Sequence, residues 1–149
     1  MSTGEVDEQV RLAIMRAFVD QERPPSPNEL ATAVDLPQDE VERSLGRLAA
    51  ARLIVLAPGT PFIWMANPFS ALPTTFEVLG GGKRWWGNCI WDGLGVLAAV
   101  GMDGEVRTSC PDCGDPLRLE VRGGRVGGDD AVVHFAIPAA HWWDDIGFN

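Results

Sequence analysis

The spacing of apolar residues changes near position 51, and that change constrains the fold more than any other feature. Over residues 6–21, Val6, Val10, Ala13, Ile14, Ala17 and Phe18 recur every three or four positions, the period of one helix face. The segment ERPPSP interrupts the pattern. Ser26 ahead of Pro27 predicts an N-cap followed by a first-turn proline. NELATAV then forms a short second helix and DLP a turn. A third helix is expected from about Gln38 to Ala51, with Val41, Leu45 and Leu48 inward. Beyond it, ARLIVLA reads as a strand and PGTPFIWMA as a turn leading into another. Three helices followed by a two-stranded ribbon is the order of a winged helix-turn-helix.

That order ordinarily signals DNA recognition, but the charge argues against it. The chain of 149 residues carries a net charge of −9, and phosphate affinity depends on Lys and Arg. The third helix, which would have to enter a groove, sets Asp39, Glu40 and Glu42 against Arg43 and Arg47. DNA is therefore the weakest partner class, and a packing scaffold is the simpler role for residues 1–66. The opening MSTGEVDEQV is unlike a secretory signal, and no long apolar run suggests a membrane span. A cytoplasmic protein with no membrane partner is the expectation.

A second lobe is expected over residues 67–149, giving an α+β chain. NPFSALPTTF is a proline-containing connector, and EVLGGGKRWWGN holds a glycine turn and a tryptophan pair. CIWDGLGVLAAVG places Ile90, Leu94, Leu97 and Ala98 at helical spacing. From Glu105 the chain becomes strand-like: EVRTSC, the CPDCGDP turn, LRLEVRGG, and then AVVHFAIP. Glycines and aspartates at 123–130 mark a hairpin connection. AAHWWDDIGFN closes the chain as a short helix or turn.

Three cysteines carry the candidate chemistry. An odd count without an export signal points away from a disulfide framework. Cys89 falls at the start of a predicted helix, where the dipole favours thiolate, and Asp92 follows on the same face. The carboxylate opposes the dipole by raising the thiol pKa. The pair therefore reads either as a soft metal centre with a proton carrier, or as a buried thiol beside a capping acid. Cys110 and Cys113 form a Cys-x-x-Cys knuckle, half of a tetrahedral zinc site. Cys89, His134 and His141 would complete it only if the fold gathered them. Zinc or copper at these thiols is thus one expectation, with Cys89, Asp92, Cys110 and Cys113 as candidate ligands. Six tryptophans supply packing, and Trp86 and Trp91 are candidates for an apolar wall around an organic group.

The succession NPFSALPTTFEV, RWWGNCIWDGLGVLAAVG, RTSCPDCGDPLRLEV and VVHFAIPAAHWWDDIGF resembles the alkylmercury lyases, in particular their actinobacterial-type relatives. The likeness is close over about residues 60–148 and looser over the helical N-terminal lobe. Its most specific element is Cys89-Ile90-Trp91-Asp92, which is similar to the family's active-site Cys-x-x-Asp. The resemblance implies an α+β fold with a winged-helix-like lobe on a small, mixed or antiparallel sheet domain. It also implies protonolysis of a carbon–mercury bond, with Cys89 binding mercury and Asp92 carrying the proton. The substrate would be an organomercurial, the product Hg²⁺, and no resident cofactor would be required. Cellular thiols or a mercuric reductase would accept the mercury. No cysteine follows Cys113 in these 149 residues, where the family's second catalytic cysteine would fall, and Cys110 matches a family cysteine with a structural role; a truncated form, substitution by Cys113 or Cys110, or an external thiol are the alternatives. A non-catalytic thiol module that binds or senses metal on the same fold is the competing expectation.

Overall fold

A computed structural model describes residues 1–147. Phe148 and Asn149, the end of the expected second lobe and of the closing helix or turn, lie outside the described residues. Helix α1 spans Thr3–Gln21, α2 Pro27–Val34 and α3 Gln38–Ala50, close to the predicted bounds. Ser26 is the N-cap foreseen: its Oγ accepts the Glu29 N–H at 3.2 Å, and its own N–H donates to Glu29 Oε2 at 2.8 Å. Ser2 and Glu5 form the same reciprocal box at the start of α1, satisfying donors that a helix end leaves unpaired.

The ribbon is three-stranded. β1 (Val55–Leu56), β2 (Ile63–Ala66) and β3 (Phe69–Ser70) are antiparallel in that order. β3 lies past the expected lobe boundary, across a cis Asn67–Pro68 bond, and pairs back onto β2. A second antiparallel sheet contains β4 (Glu77–Gly80), β5 (Lys83–Trp86), β6 (Gly104–Ser109), β7 (Pro116–Arg122) and β8 (Arg125–Gly128), ordered β5-β4-β6-β7-β8. Helix α4 (Ile90–Val100) packs on β4 and β6. Among the described residues, no helix is long and apolar enough to cross a membrane.

One apolar cluster runs through both halves, from Val10, Ile14 and Phe18 to Val78, Val96 and Val106. Polar groups fasten the halves together. The indole N–H of buried Trp85 donates to the Phe18 carbonyl at 2.7 Å, and Lys83 Nζ donates to the Val19 carbonyl at 2.8 Å. Both carbonyls lie in the last turn of α1; that of Phe18 also accepts the Glu22 N–H of the C-cap at 3.1 Å. Phe18 also stacks on Phe69, with centroids 5.2 Å apart. The arginines of α3 are spent internally: Arg47 and Ser44 both donate to Asp7 of α1, and Arg43 pairs with Asp39 and Glu40.

Two local expectations are corrected. In α4, Ala98 is exposed, and Gly93, Val96 and Leu97 form the buried face. The segment AVVHFAIP is not a strand. The open edge of β7 is already taken by glycine-rich β8, whose composition hides its strand character. Asp129 then ends the ladder by donating its N–H to the Arg118 carbonyl at 3.0 Å and accepting the Arg118 N–H at 2.7 Å. Residues 131–138 run as an exposed, irregular segment, and Val132 is 92% exposed.

Candidate active site

Helix α4 starts only four residues after β5, so the chain must turn sharply from the sheet edge onto its face. Gly87 makes this possible. A Cβ there would sit 2.5 Å from the Gly93 nitrogen and 3.0 Å from the Cys89 carbonyl oxygen. Gly93 in turn rests on Val106, where an added Cβ would meet Cγ1 at 3.0 Å. Gly87→Ala is therefore expected to push α4 off the sheet and cost about 1–3 kcal/mol, typical of overpacking. Chemical denaturation compared with wild type checks this.

Cys89 is the N-cap of α4, with extended backbone (φ −144°, ψ 179°). Its Sγ accepts the Asp92 N–H at 3.4 Å, the place a serine oxygen would take in an ordinary cap. The helix end thus points at sulfur, as the sequence suggests. Burial outweighs it: desolvation pushes the Cys89 thiol up, the Asp92 N–H pulls it down, and the Asp92 charge adds to the rise. Burial thus favours the neutral thiol over the thiolate. Asp92 is also raised, chiefly by burial, with Asn88 acting in the opposite direction. A carboxyl group that retains its proton above the ordinary range suits proton donation.

Asn88 is the residue that the sequence did not reveal. Its Nδ2 donates to Asp92 Oδ2 at 3.1 Å, to Asn67 Oδ1 at 3.1 Å, and to the Phe69 carbonyl at 3.4 Å. It therefore ties the acid to the β2–β3 turn. Its Oδ1 is buried without a hydrogen-bond partner, which is rare enough at a cavity edge to mark the place. The signal would have been an amide just before the cysteine, and asparagine is too common in turns to stand out.

The pair opens on a cavity of about 310 Å³ lined by Trp64, Asn88, Cys89, Trp91, Asp92 and Trp142, among others. Trp91 is part of this lining and is 65% exposed. Trp86 is not part of the lining and lies beneath the Arg84 guanidinium instead, 5.7 Å from its ring centroid. β-strand alternation accounts for this: Trp85 points into the core and Trp86 to the other face. The far wall comes from the irregular segment after β8. Phe135 packs against Trp142 with centroids 5.2 Å apart, and the Trp142 indole donates to the Ile137 carbonyl at 2.8 Å. His141 and its neighbours form a 3-10 turn over Ala139–Asp144.

Cys110 and Cys113 stand elsewhere, on the turn between β6 and β7. Among the described residues no three His, Cys, Asp or Glu side chains converge as metal ligands. Cys89, Asp92, Cys110 and Cys113 are therefore two pairs rather than one four-ligand cage. His134 is exposed on the irregular segment.

The comparisons with known proteins fit this geometry. The family model described as MerB, alkylmercury lyase, matches residues 69–148, more than half the chain and all of the Cys89–Asp92 region. The chain belongs to the alkylmercury lyase family. A solved chain described as the mercury-bound form of MerB2 shares its fold, with a TM-score of 0.63 at 20% identity. That match covers 84% of this chain and 65% of the other, so this chain spans under two thirds of the length of that relative. No curated protein matches the sequence. The α+β fold and the family expected from the Cys-x-x-Asp segment both stand.

Proposed function

We infer that this alkylmercury lyase family member cleaves carbon–mercury bonds by protonolysis at Cys89 and Asp92. One observation carries the reading: a thiol and a proton-retaining carboxyl group share the first turn of α4 at the mouth of an aromatic cavity. Mercury is soft and prefers sulfur. An organomercurial R–Hg–X would exchange X for the Cys89 sulfur, displacing the thiol proton. Trp64, Trp91 and Trp142 would hold R out of water. Sulfur donation to mercury makes the attached carbon more basic, and Asp92 then protonates it. The C–Hg bond breaks, R–H departs, and Hg(II) remains on sulfur. No electrons are transferred between partners.

Among the described residues Cys89 is the one thiol in the cavity lining, and an external monothiol can supply mercury's second sulfur ligand in an assay. This feature also favours the second reading, a thiol module that binds mercury or another soft metal without cleaving the carbon bond. Incubating the chain with an arylmercury compound and excess monothiol separates the two. Arene in the headspace supports the lyase; mercury retained with its aryl group supports the binding module.

Asn88 would position Asp92 without touching the reacting atoms. Asn88→Ala is expected to raise the Asp92 pKa further, since the lost N–H stabilised the carboxylate. The limb of the pH–rate profile that reports Asp92 should move to higher pH, with KM little changed. A profile that falls uniformly at every pH would show Asn88 to be structural only.

A further inference from the structure

The Cys110–Cys113 turn is unused by the mechanism above, yet its sulfurs are arranged as a pair. The Cys110 N–H donates to the Asp115 carbonyl at 2.8 Å, and the Gly114 N–H donates to the Cys110 carbonyl at 2.9 Å. Gly114 takes φ +78°, a left-handed conformation that glycine adopts at least cost. The closed turn aims the backbone N–H groups of Cys113 and Asp112 at Cys110 Sγ, and the Cys113 thiol also donates to it. Both cysteines are free, and Cys113 is exposed.

Three features choose the ligand. Two sulfurs with no third ligating side chain among the described residues do not complete the four-coordinate site that structural zinc requires. A soft cation content with two thiolates fits instead, and Hg(II) has that preference. Placement adds the third feature. β5 and β6 both run antiparallel to β4, so they are parallel to each other. Trp86 and Arg107 face Glu77 from its two sides. Cys89 follows Trp86 by three residues and Cys110 follows Arg107 by three. Both thiol segments therefore leave the sheet at the same end, from strands about 10 Å apart given normal strand spacing.

We propose that Cys110 and Cys113 form a surface dithiol site for Hg(II), separate from the cavity, that takes the cation after it has left carbon. The source of the cation rests on the lyase reading; the binding itself does not. In the exchange, mercury's bonds to the Cys89 sulfur and to one external monothiolate break, and two bonds to Cys110 and Cys113 form. The two turn protons pass to the departing thiolates, and mercury stays Hg(II). A chelating pair outcompetes monothiols because its second bond closes within one turn.

The test is Hg(II) titration of the full-length Cys89→Ser variant in excess monothiol, followed by thiolate-to-mercury charge-transfer absorbance. One equivalent is expected to be held, and Cys110→Ser with Cys113→Ser in the same background should weaken it at least 100-fold. Alkylation mapping by mass spectrometry covers the case in which those variants misfold. In wild type, two equivalents of Hg(II) should protect Cys110 and Cys113 together. Cys110 and Cys113 alkylated at full rate in the presence of Hg(II), or no retained equivalent in Cys89→Ser, would overturn the proposal. Loss of arene release with the turn still binding would remove the lyase reading and leave this site standing.

Discussion

Cys89→Ser is expected to lower hydrocarbon release from an organomercurial by about 10³-fold or more, the scale on which removing an attacking group acts. The structure makes the substitution nearly silent for folding. Cys89 occupies the N-cap of α4 and accepts the Asp92 N–H through sulfur, and serine is among the best residues for that position. Thermal stability should therefore stay at or above that of wild type. What serine cannot replace is the soft ligand, because a hydroxyl oxygen holds mercury weakly. Release assayed alongside a thermal melt checks both halves. A variant that melts normally and still releases hydrocarbon at the wild-type rate would exclude Cys89 as the mercury ligand.

Asp92→Asn should separate binding from cleavage. Mercury uptake by Cys89 should remain, and carbon release should fall by about 10²–10⁴-fold, the usual worth of a positioned proton donor. The same variant should be more stable than wild type at neutral pH. The folded Asp92 pKa lies above its unfolded value, chiefly because of burial. Below the unfolded pKa the carboxyl is protonated in both states, and the group has no effect. As pH rises towards the folded pKa, the native state holds more protons than the unfolded one, so stability falls. Asparagine removes that loss. Its Oδ1 can still accept the Asn88 N–H that now reaches Asp92 Oδ2. The melting temperatures of wild type and variant should converge in acid and separate above the ordinary carboxylate range. Parallel curves would show that Asp92 carries no buried charge.

The helical half of the fold was legible because its signals are local. Apolar residues at helical spacing, the Ser26–Pro27 start and the DLP turn each act within a few residues, and α1, α2 and α3 follow them closely, although α1 begins at Thr3, ahead of the expected residues 6–21. Strand order was less legible, since it depends on which edges remain open. AVVHFAIP has the alternation of a strand, but β8, with two glycines in four residues, had already filled the edge. The site divides in the same way. Cys89 and Asp92 could be read as a pair because three residues along a helix share a face. Trp64, Phe135 and Trp142 could not, because they reach the cavity from β2 and from the segment after β8. Nothing near Cys89 in sequence reports them. The separation of Cys89 and Asp92 from Cys110 and Cys113 was equally invisible, since only the fold shows that no three such ligands converge among the described residues.

The most direct test of the central claim is cleavage of an arylmercury compound by the wild-type chain in D₂O with excess monothiol, read by gas chromatography and mass spectrometry. Protonolysis at Cys89 and Asp92 predicts one arene per mercurial consumed, carrying a single deuterium at the carbon that bore mercury. Stoichiometric mercury on Cys89 with the aryl group still attached, and no arene released, would contradict it.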